Sequence, residues 1–296
     1  MTDSESVTFH GDDVPQGDPE ASLFHVIPVP YEKSVSYGSG TAEGPGAIIE
    51  ASCQLEVFDG KSLPAKYGIY TAPFVECEGS HEIALKNVKT AVEACLTAGK
   101  MPVVLGGEHT VTGGVVDALM ERYDSFGVVQ FDAHADLRDT YEGSKYSHAC
   151  VMKRLFDKKI PIYQLGTRSY CLDEHQLRLH NKIPYMDAED VHRLGVNAFH
   201  LPEDFPDKVF ITFDIDALDS SVMPATGTPV PGGLTWYQCM WLIESIARQR
   251  TVIGFDVLEY APMEGLHSAD FTAAQLVYNI MGIVSRSEKT KNYFGV

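Results

Sequence analysis

The sequence is short of positive charge. Its 296 residues hold 23 Lys and Arg against 41 Asp and Glu, a formal charge of −18. Nucleic acids and anionic membranes are gripped by clustered cations, so neither is expected as a partner. A small cationic molecule suits the acidic balance better, although such a surface also serves solubility. No apolar run reaches the roughly 18 residues that span a bilayer. The N-terminus lacks the basic-then-apolar order of a secretory signal. Six cysteines (Cys53, Cys77, Cys95, Cys150, Cys171, Cys239) never fall in a Cys-x-x-Cys spacing. They read as buried free thiols of a reducing, cytoplasmic compartment rather than zinc ligands or disulfides. Internal repeats, low-complexity tracts and long linkers are also missing.

What is present is a core. The chain is 44% hydrophobic, enough for one large α/β domain. Residues 1–20 carry six acids, no Lys or Arg, and few apolar groups. They are expected to form a flexible acidic arm, or one ordered only by a neighbouring subunit, with a single domain over 21–296. Strand-like runs stand at 23–29, 67–70, 102–105, 126–131, 161–165, 209–213 and 251–257. Helix-like runs stand at 47–58, 83–98, 111–123, 148–156, 174–181, 236–248 and 269–284. The later strands are almost continuously apolar, as in a parallel sheet covered on both faces. The expected fold is a three-layer α/β/α sandwich with a mainly parallel central sheet.

Two short runs carry the chemistry. Phe131-Asp132-Ala133-His134-Ala135-Asp136 and Phe213-Asp214-Ile215-Asp216 each follow a strand-like stretch and place metal-binding groups at alternate positions. In an extended backbone, alternate side chains share a face. Carboxylates gathered in this way repel and lose hydration unless a cation compensates them. Gly106-Gly107-Glu108-His109-Thr110 adds His109 at another strand end. Two imidazoles and four carboxylates without a thiolate form a hard N/O set. That set suits Mn²⁺ best, then Mg²⁺, Co²⁺, Fe²⁺ or Zn²⁺. Six protein ligands exceed what one hydrolytic ion takes, so two ions sharing carboxylates are expected. Singly, each motif also reads as a solvated loop or a strand-to-helix turn.

Together these motifs resemble those of the ureohydrolases, the family of arginases, agmatinases and their relatives. The likeness covers residues 29–282. Its carriers are Gly-Gly-Glu-His-Thr at 106–110, Phe-Asp-Ala-His-Ala-Asp at 131–136 and Ser-His-Ala at 147–149. They continue with the run 213–233 and with Gly254-Phe255-Asp256-Val257-Leu258-Glu259. The resemblance implies an arginase-like fold and two Mn²⁺ per subunit. His109, Asp132, Asp136 and Asp214 would hold one ion; His134, Asp132, Asp214 and Asp216 would hold the other. It further implies that a hydroxide between ions roughly 3–4 Å apart attacks a guanidinium carbon. Asp136 would orient it, His148 would protonate the leaving amine, and Glu259 would pair with the guanidinium. The blander alternatives are a helix-start contact for His148 and a surface acid for Glu259. Asp256 fits a partner behind the ligands. Thr228, Arg168 and Tyr170 could reach the site, whereas Cys150 reads as a packed thiol. A cytoplasmic homo-oligomer, trimer or hexamer, is implied as well.

Within that family the stretch 136–149 and the stretch 40–48 look like prokaryotic agmatinases, and the expected substrate is agmatine, cleaved to putrescine and urea. Guanidinobutyrate, arginine and formimidoylglutamate are the alternatives, and Arg138 or Lys145 turned into the cleft would favour a guanidino acid. Tyr260-Ala261-Pro262 and Asp219-Ser220 depart from the commoner family patterns. A catalytically silent scaffold would lack ligands, and none of the six is missing. A binuclear phosphoesterase would need a basic or glycine-rich phosphate cradle, which the sequence does not offer.

Overall fold

The computed structural model describes residues 7–296. Strands and helices alternate along the first half: β1 (Phe24–Val29), α1 (Gly44–Ser52), β2 (Ile69–Thr71), α2 (His81–Thr97), β3 (Met101–Gly106), α3 (Val111–Arg122) and β4 (Gly127–Phe131). The second half adds α4 (Val151–Asp157), β5 (Ile162–Leu165), α5 (Leu172–His180), β6 (Tyr185–Met186), α6 (Ala188–Leu194) and β7 (Lys208–Asp214). It closes with α7 (Trp236–Gln249), β8 (Thr251–Leu258), α8 (His267–Arg286) and α9 (Glu288–Phe294).

The eight strands form one sheet in the order β2-β1-β3-β8-β7-β4-β5-β6. Every neighbouring pair is parallel. Alternate strand residues feed two separate cores, as a period of two requires. On one face Phe24, Val26, Val103, Ile211 and Phe213 pack with Ile48 of α1, Ile243 of α7 and Leu276 of α8. On the other, Ile27, Val104, Val128 and Phe210 meet Val88 of α2 and Val115 and Leu119 of α3. The result is the expected α/β/α sandwich, with the sheet wholly rather than mainly parallel. Local signals set the helix starts. The Ser80 hydroxyl accepts from the Ile83 amide at α2, and Thr235 and Gln238 form a reciprocal capping box at α7.

The N-terminal segment differs from expectation. Residues 1–6 of the expected arm lie outside the described part. Residues 7–20 lie against the domain. Phe9 and His10 are buried, Phe9 N donates to Thr71 Oγ1 at 3.0 Å, and Gly17 N donates to Ile69 O at 2.9 Å. The segment thus covers the free edge of β2, where unpaired backbone groups would otherwise face water. Among the described residues, no helix is long and apolar enough to cross a membrane.

Candidate metal centre and its cavity

The four central strands deliver the site. Asp132 follows β4, Asp214 ends β7, Glu259 follows β8, and His109 stands in the turn between β3 and α3. In an open parallel sheet the carboxyl ends of such strands form the binding edge. The β3–α3 turn can pass only because residue 107 is glycine. A Cβ there would fall 1.8 Å from the Tyr31 carbonyl oxygen.

Three of the other five expected ligands surround His109. Its Nδ1 lies 3.1 Å from Asp132 Oδ2, 3.1 Å from Asp136 Oδ2 and 3.5 Å from Asp214 Oδ2. His134 Nδ1 lies 3.0 Å from Asp216 Oδ2 and 3.6 Å from Asp132 Oδ1. Asp132 therefore turns one oxygen to each histidine. Two groups emerge that could each hold an ion, His109 with Asp132 and Asp214, and Asp132 with His134 and Asp216. Asp132 belongs to both. Asp214 stands in the first only, and its Oδ1 accepts the Asp216 amide at 2.9 Å.

The donor chemistry fits divalent ions. His109 is wholly buried and its Nε2 is bonded to Thr212 Oγ1 at 2.9 Å. Its Nδ1 has no aligned hydrogen-bond partner and points among three carboxylates, the disposition of a ligand lone pair. Burial, reinforced by the charges of Asp216 and Asp132, pushes the Asp214 carboxyl well above the usual range. Burial and then the Asp132 charge push Asp136 up to about 7. A pocket that resists holding all its carboxylates ionised is short of positive charge.

Behind the ligands runs a polar row absent from the sequence reading apart from Asp256. Gln164, Gln130, Thr212 and Asp256 are paired neighbours across β5, β4, β7 and β8. Gln130 Nε2 donates to Asp132 Oδ2 at 2.7 Å, and Gln164 Nε2 to Gln130 Oε1 at 2.6 Å. Thr112 Oγ1 donates to Asp256 Oδ2 at 2.8 Å and lies 3.1 Å from Thr212 Oγ1. The sequence signal was present: a polar residue two positions before the strand-end acid in otherwise apolar strands (Gln130 before Asp132, Thr212 before Asp214).

A cavity of about 380 Å³ opens on the carboxylates. Its wall includes His134, Asp136, Asp214, Asp216, His148 and Glu259. Glu259 Oε1 accepts the His109 amide at 2.6 Å, which leaves Oε2 uncommitted. Burial, then the charge of Glu108, raises the Glu259 carboxyl well above its ordinary range. Asp136 and Glu259 both adopt left-handed backbone, φ 52° and 61°, a strained state for non-glycine residues that tends to gather at functional sites. His148 lies between Ser34 and Ser36, and burial lowers its ring below the usual imidazole range despite the nearby Glu108 charge.

Of the supporting residues, Tyr170, Thr226 and Thr228 line the cavity. Arg168 does not; its guanidinium donates to the carbonyls of Asp216 and Val230 at 2.7 Å each and so braces the second acidic loop. Cys150 is buried, a packed thiol as expected. Arg138 lines the cavity whereas Lys145 does not. The Arg138 guanidinium lies over the Tyr141 ring and its Nε is 3.9 Å from Glu174 Oε2.

Comparison with known proteins adds a family to this geometry. The arginase family model matches residues 22–282. A protein of Synechocystis sp. named N(1)-aminopropylagmatine ureohydrolase is 36% identical, over 98% of this chain and 95% of its own. One of the same name from Thermus thermophilus is 39% identical, covering 87% of this chain and 89% of its own. The crystal structure of the agmatine ureohydrolase of Thermoplasma volcanium superposes with a TM-score of 0.83 at 30% identity. That alignment covers 93% of this chain and 94% of that one.

Proposed function

We propose a reaction for this chain from the fact that it belongs to the arginase family: hydrolysis of the guanidino C–N bond of a guanidinobutyl amine, releasing urea. The family's members are metal-dependent ureohydrolases, and this chain is an enzyme of that class. The parent substrate is agmatine, giving putrescine. The observation that carries the proposal is one cavity wall that joins the carboxylate cluster to an uncommitted Glu259 oxygen and to His148.

The residues divide the work. His109, Asp132, Asp136, Asp214, His134 and Asp216 would hold two Mn²⁺, with Asp132 shared. When bound, divalent ions supply the Lewis acidity that makes water nucleophilic near neutral pH. Glu259 pairs through Oε2 with the flat guanidinium and presents its carbon to the acidic cluster. Asp136 accepts a hydrogen bond from the incoming water and orients it. As the C–N bond breaks, the departing amine needs a proton, and the His148 imidazole is placed to give it.

A second substrate, N(1)-aminopropylagmatine, giving spermidine, is favoured by four relatives that bear its name. The outer wall also suits an added ammonium, with the Tyr170 ring on it. Arg138 stands there too, but its charge is already engaged by Glu174 and Tyr141, so a guanidino acid is disfavoured. We extend the proposal to a cytoplasmic homo-oligomer, trimer or hexamer, built from one ureohydrolase domain over residues 21–296. The test is urea release with Mn²⁺ from agmatine, N(1)-aminopropylagmatine, arginine, 4-guanidinobutyrate and 3-guanidinopropionate, with formamide release followed for formimidoylglutamate. One of the first two should lead by kcat/KM. Preference for a carboxylate-bearing substrate overturns the assignment.

A further inference from the structure

A histidine that hands a proton to a leaving amine must do so from the correct nitrogen, and the residues behind His148 decide which one that is. We propose that Glu108, acting through Ser34, is a positioning residue that fixes the tautomer and orientation of His148 and makes Nε2 its proton-exchanging atom. The inference rests on the proton-transfer role given to His148 above.

Glu108 is wholly buried and is absent from the cavity wall. It therefore touches neither substrate nor solvent, yet four donors converge on it. The amides of Lys33 and Ser34 donate to Oε2 at 2.6 Å each. The Ser34 hydroxyl donates to Oε1 at 2.7 Å, and the single hydrogen of Thr110 Oγ1 is shared between Oε1 at 2.7 Å and the Tyr146 carbonyl at 2.9 Å. A buried carboxylate so solvated stays put and locks the loop that follows β1 onto the β3–α3 turn.

The consequence for His148 follows from counting hydrogens. The Ser34 hydroxyl has one, and the charge-assisted bond to Glu108 takes it. Toward His148 the Ser34 oxygen can then only accept. It accepts the His148 amide at 3.1 Å and lies 3.4 Å from the ring Nδ1. That ring contact is long, so its sign matters more than its strength: a lone pair facing Nδ1 favours the tautomer with hydrogen there. Ser147 Oγ, at 3.5 Å from Nδ1, is at the limit of reach. The second nitrogen, Nε2, lies 3.0 Å from Ser36 Oγ, whose hydroxyl is free to donate to it. Ser36 and His148 both line the cavity. Nε2 is then the atom on the substrate side that first takes a proton from the attacking water and then passes it to the amine, and Nδ1 the fixed one behind. The device spans three segments distant in sequence, and of its residues Glu108 lies in the Gly-Gly-Glu-His-Thr run whereas Ser34 lies in none of the motifs.

The test pairs Ser34→Ala with Ser34→Thr, read by three measurements. The first is kcat and KM on the preferred guanidino substrate. The second is Mn²⁺ content. The third is the ¹⁵N spectrum of the His148 ring in the metal-free full chain, assigned by its loss in His148→Asn. Wild type should show Nδ1 protonated and Nε2 unprotonated in the neutral ring. Ser34→Ala should lower kcat by about ten- to a hundredfold, leave KM within about twofold and Mn²⁺ content unchanged, and mix the two tautomers. Ser34→Thr, which keeps the hydroxyl, should restore the wild-type spectrum and most of kcat. An unchanged tautomer in Ser34→Ala overturns the proposal, and so does a kcat loss that merely tracks lost Mn²⁺. The spectrum needs no turnover, so failure of the underlying reading shows separately, as full kcat in His148→Asn.

Discussion

Asp132 turns Oδ2 to His109 and Oδ1 to His134, so its removal differs in kind from that of Asp216, which faces His134 alone. On the proposed assignment, Asp132→Ala should abolish uptake of both ions and all urea release, while Asp216→Ala should retain about one ion per subunit. Elemental analysis of dialysed protein checks both, and equal stoichiometries in the two variants would contradict the shared role of Asp132. Thr212 offers a finer probe because it lies behind the ligands. Its hydroxyl is the partner of His109 Nε2 and links to Thr112 and Asp256. Thr212→Val keeps the shape and removes the oxygen, so the buried ring nitrogen loses its orienting bond. Metal affinity should fall by about 10–100-fold, measured by competition with a chelator. A value within twofold of wild type would mean that this row serves packing only.

At the scale of elements, the sheet places the site and the turns let it close. The β3–α3 turn runs so near the loop after β1 that a Cβ on Gly107 meets the Tyr31 backbone at 1.8, 2.7 and 2.9 Å. Backbone cannot step aside as a flexible side chain would, so Gly107→Ala should cost roughly 3 kcal/mol or more and disturb Glu108 and His109 with it. Gly113, six residues on and inside α3, has nothing within 4 Å of its Cβ position. There the change to alanine should stabilise by about 0.5–1 kcal/mol. Chemical denaturation of the two variants tests the contrast, and destabilisation by both would locate the sensitivity in the helix rather than in the turn. The same distinction explains what could be foreseen. Long apolar strands ending in acids and amphipathic helices such as α7 announce themselves by period. β6 does not, because two residues have no period, and α9 follows α8 after one intervening residue, Ser287, without a fresh apolar run. The six candidate ligands were legible because they crowd strand ends. Ser34 and Gln164 were not, since their partners come from other strands and loops, and Glu108, though inside the Gly-Gly-Glu-His-Thr run, shows its role only through the distant Ser34.

For the whole molecule, the six acids and few apolar groups of residues 1–20 suggested a stretch that stays in solvent, yet Phe9, His10 and Gly17 are docked at the sheet edge. Composition averages over the segment, whereas docking depends on two side chains, Phe9 and His10, each 1% exposed. His10 packs against the Tyr278 ring with centroids 4.1 Å apart, and its amide donates to Ser52 Oγ at 2.8 Å. Among the described residues, neither ring nitrogen has a partner. Burial pushes the ring down to about 4, only partly offset by the charge of Asp13. The sign of the linkage is set by this depression. Above pH 6.5 the ring is neutral in folded and unfolded chains alike, and the docking contributes in full. As pH falls from 6.5 toward 4 the unfolded chain takes a proton that the folded one refuses, so stability declines; below 4 the loss levels off. Between pH 7.5 and 5.0 the His10 share should be about 2 kcal/mol. Other groups titrate in that window, so the measurement is a difference of differences: wild type and His10→Leu, each unfolded by urea at both pH values. The leucine variant should lose less stability on acidification by about that amount. It should also show slower proteolysis near residue 10 at pH 5.0 than wild type, because the segment no longer has a reason to leave. Equal pH dependence in the two proteins would place the acid sensitivity elsewhere and reduce His10 to ordinary packing.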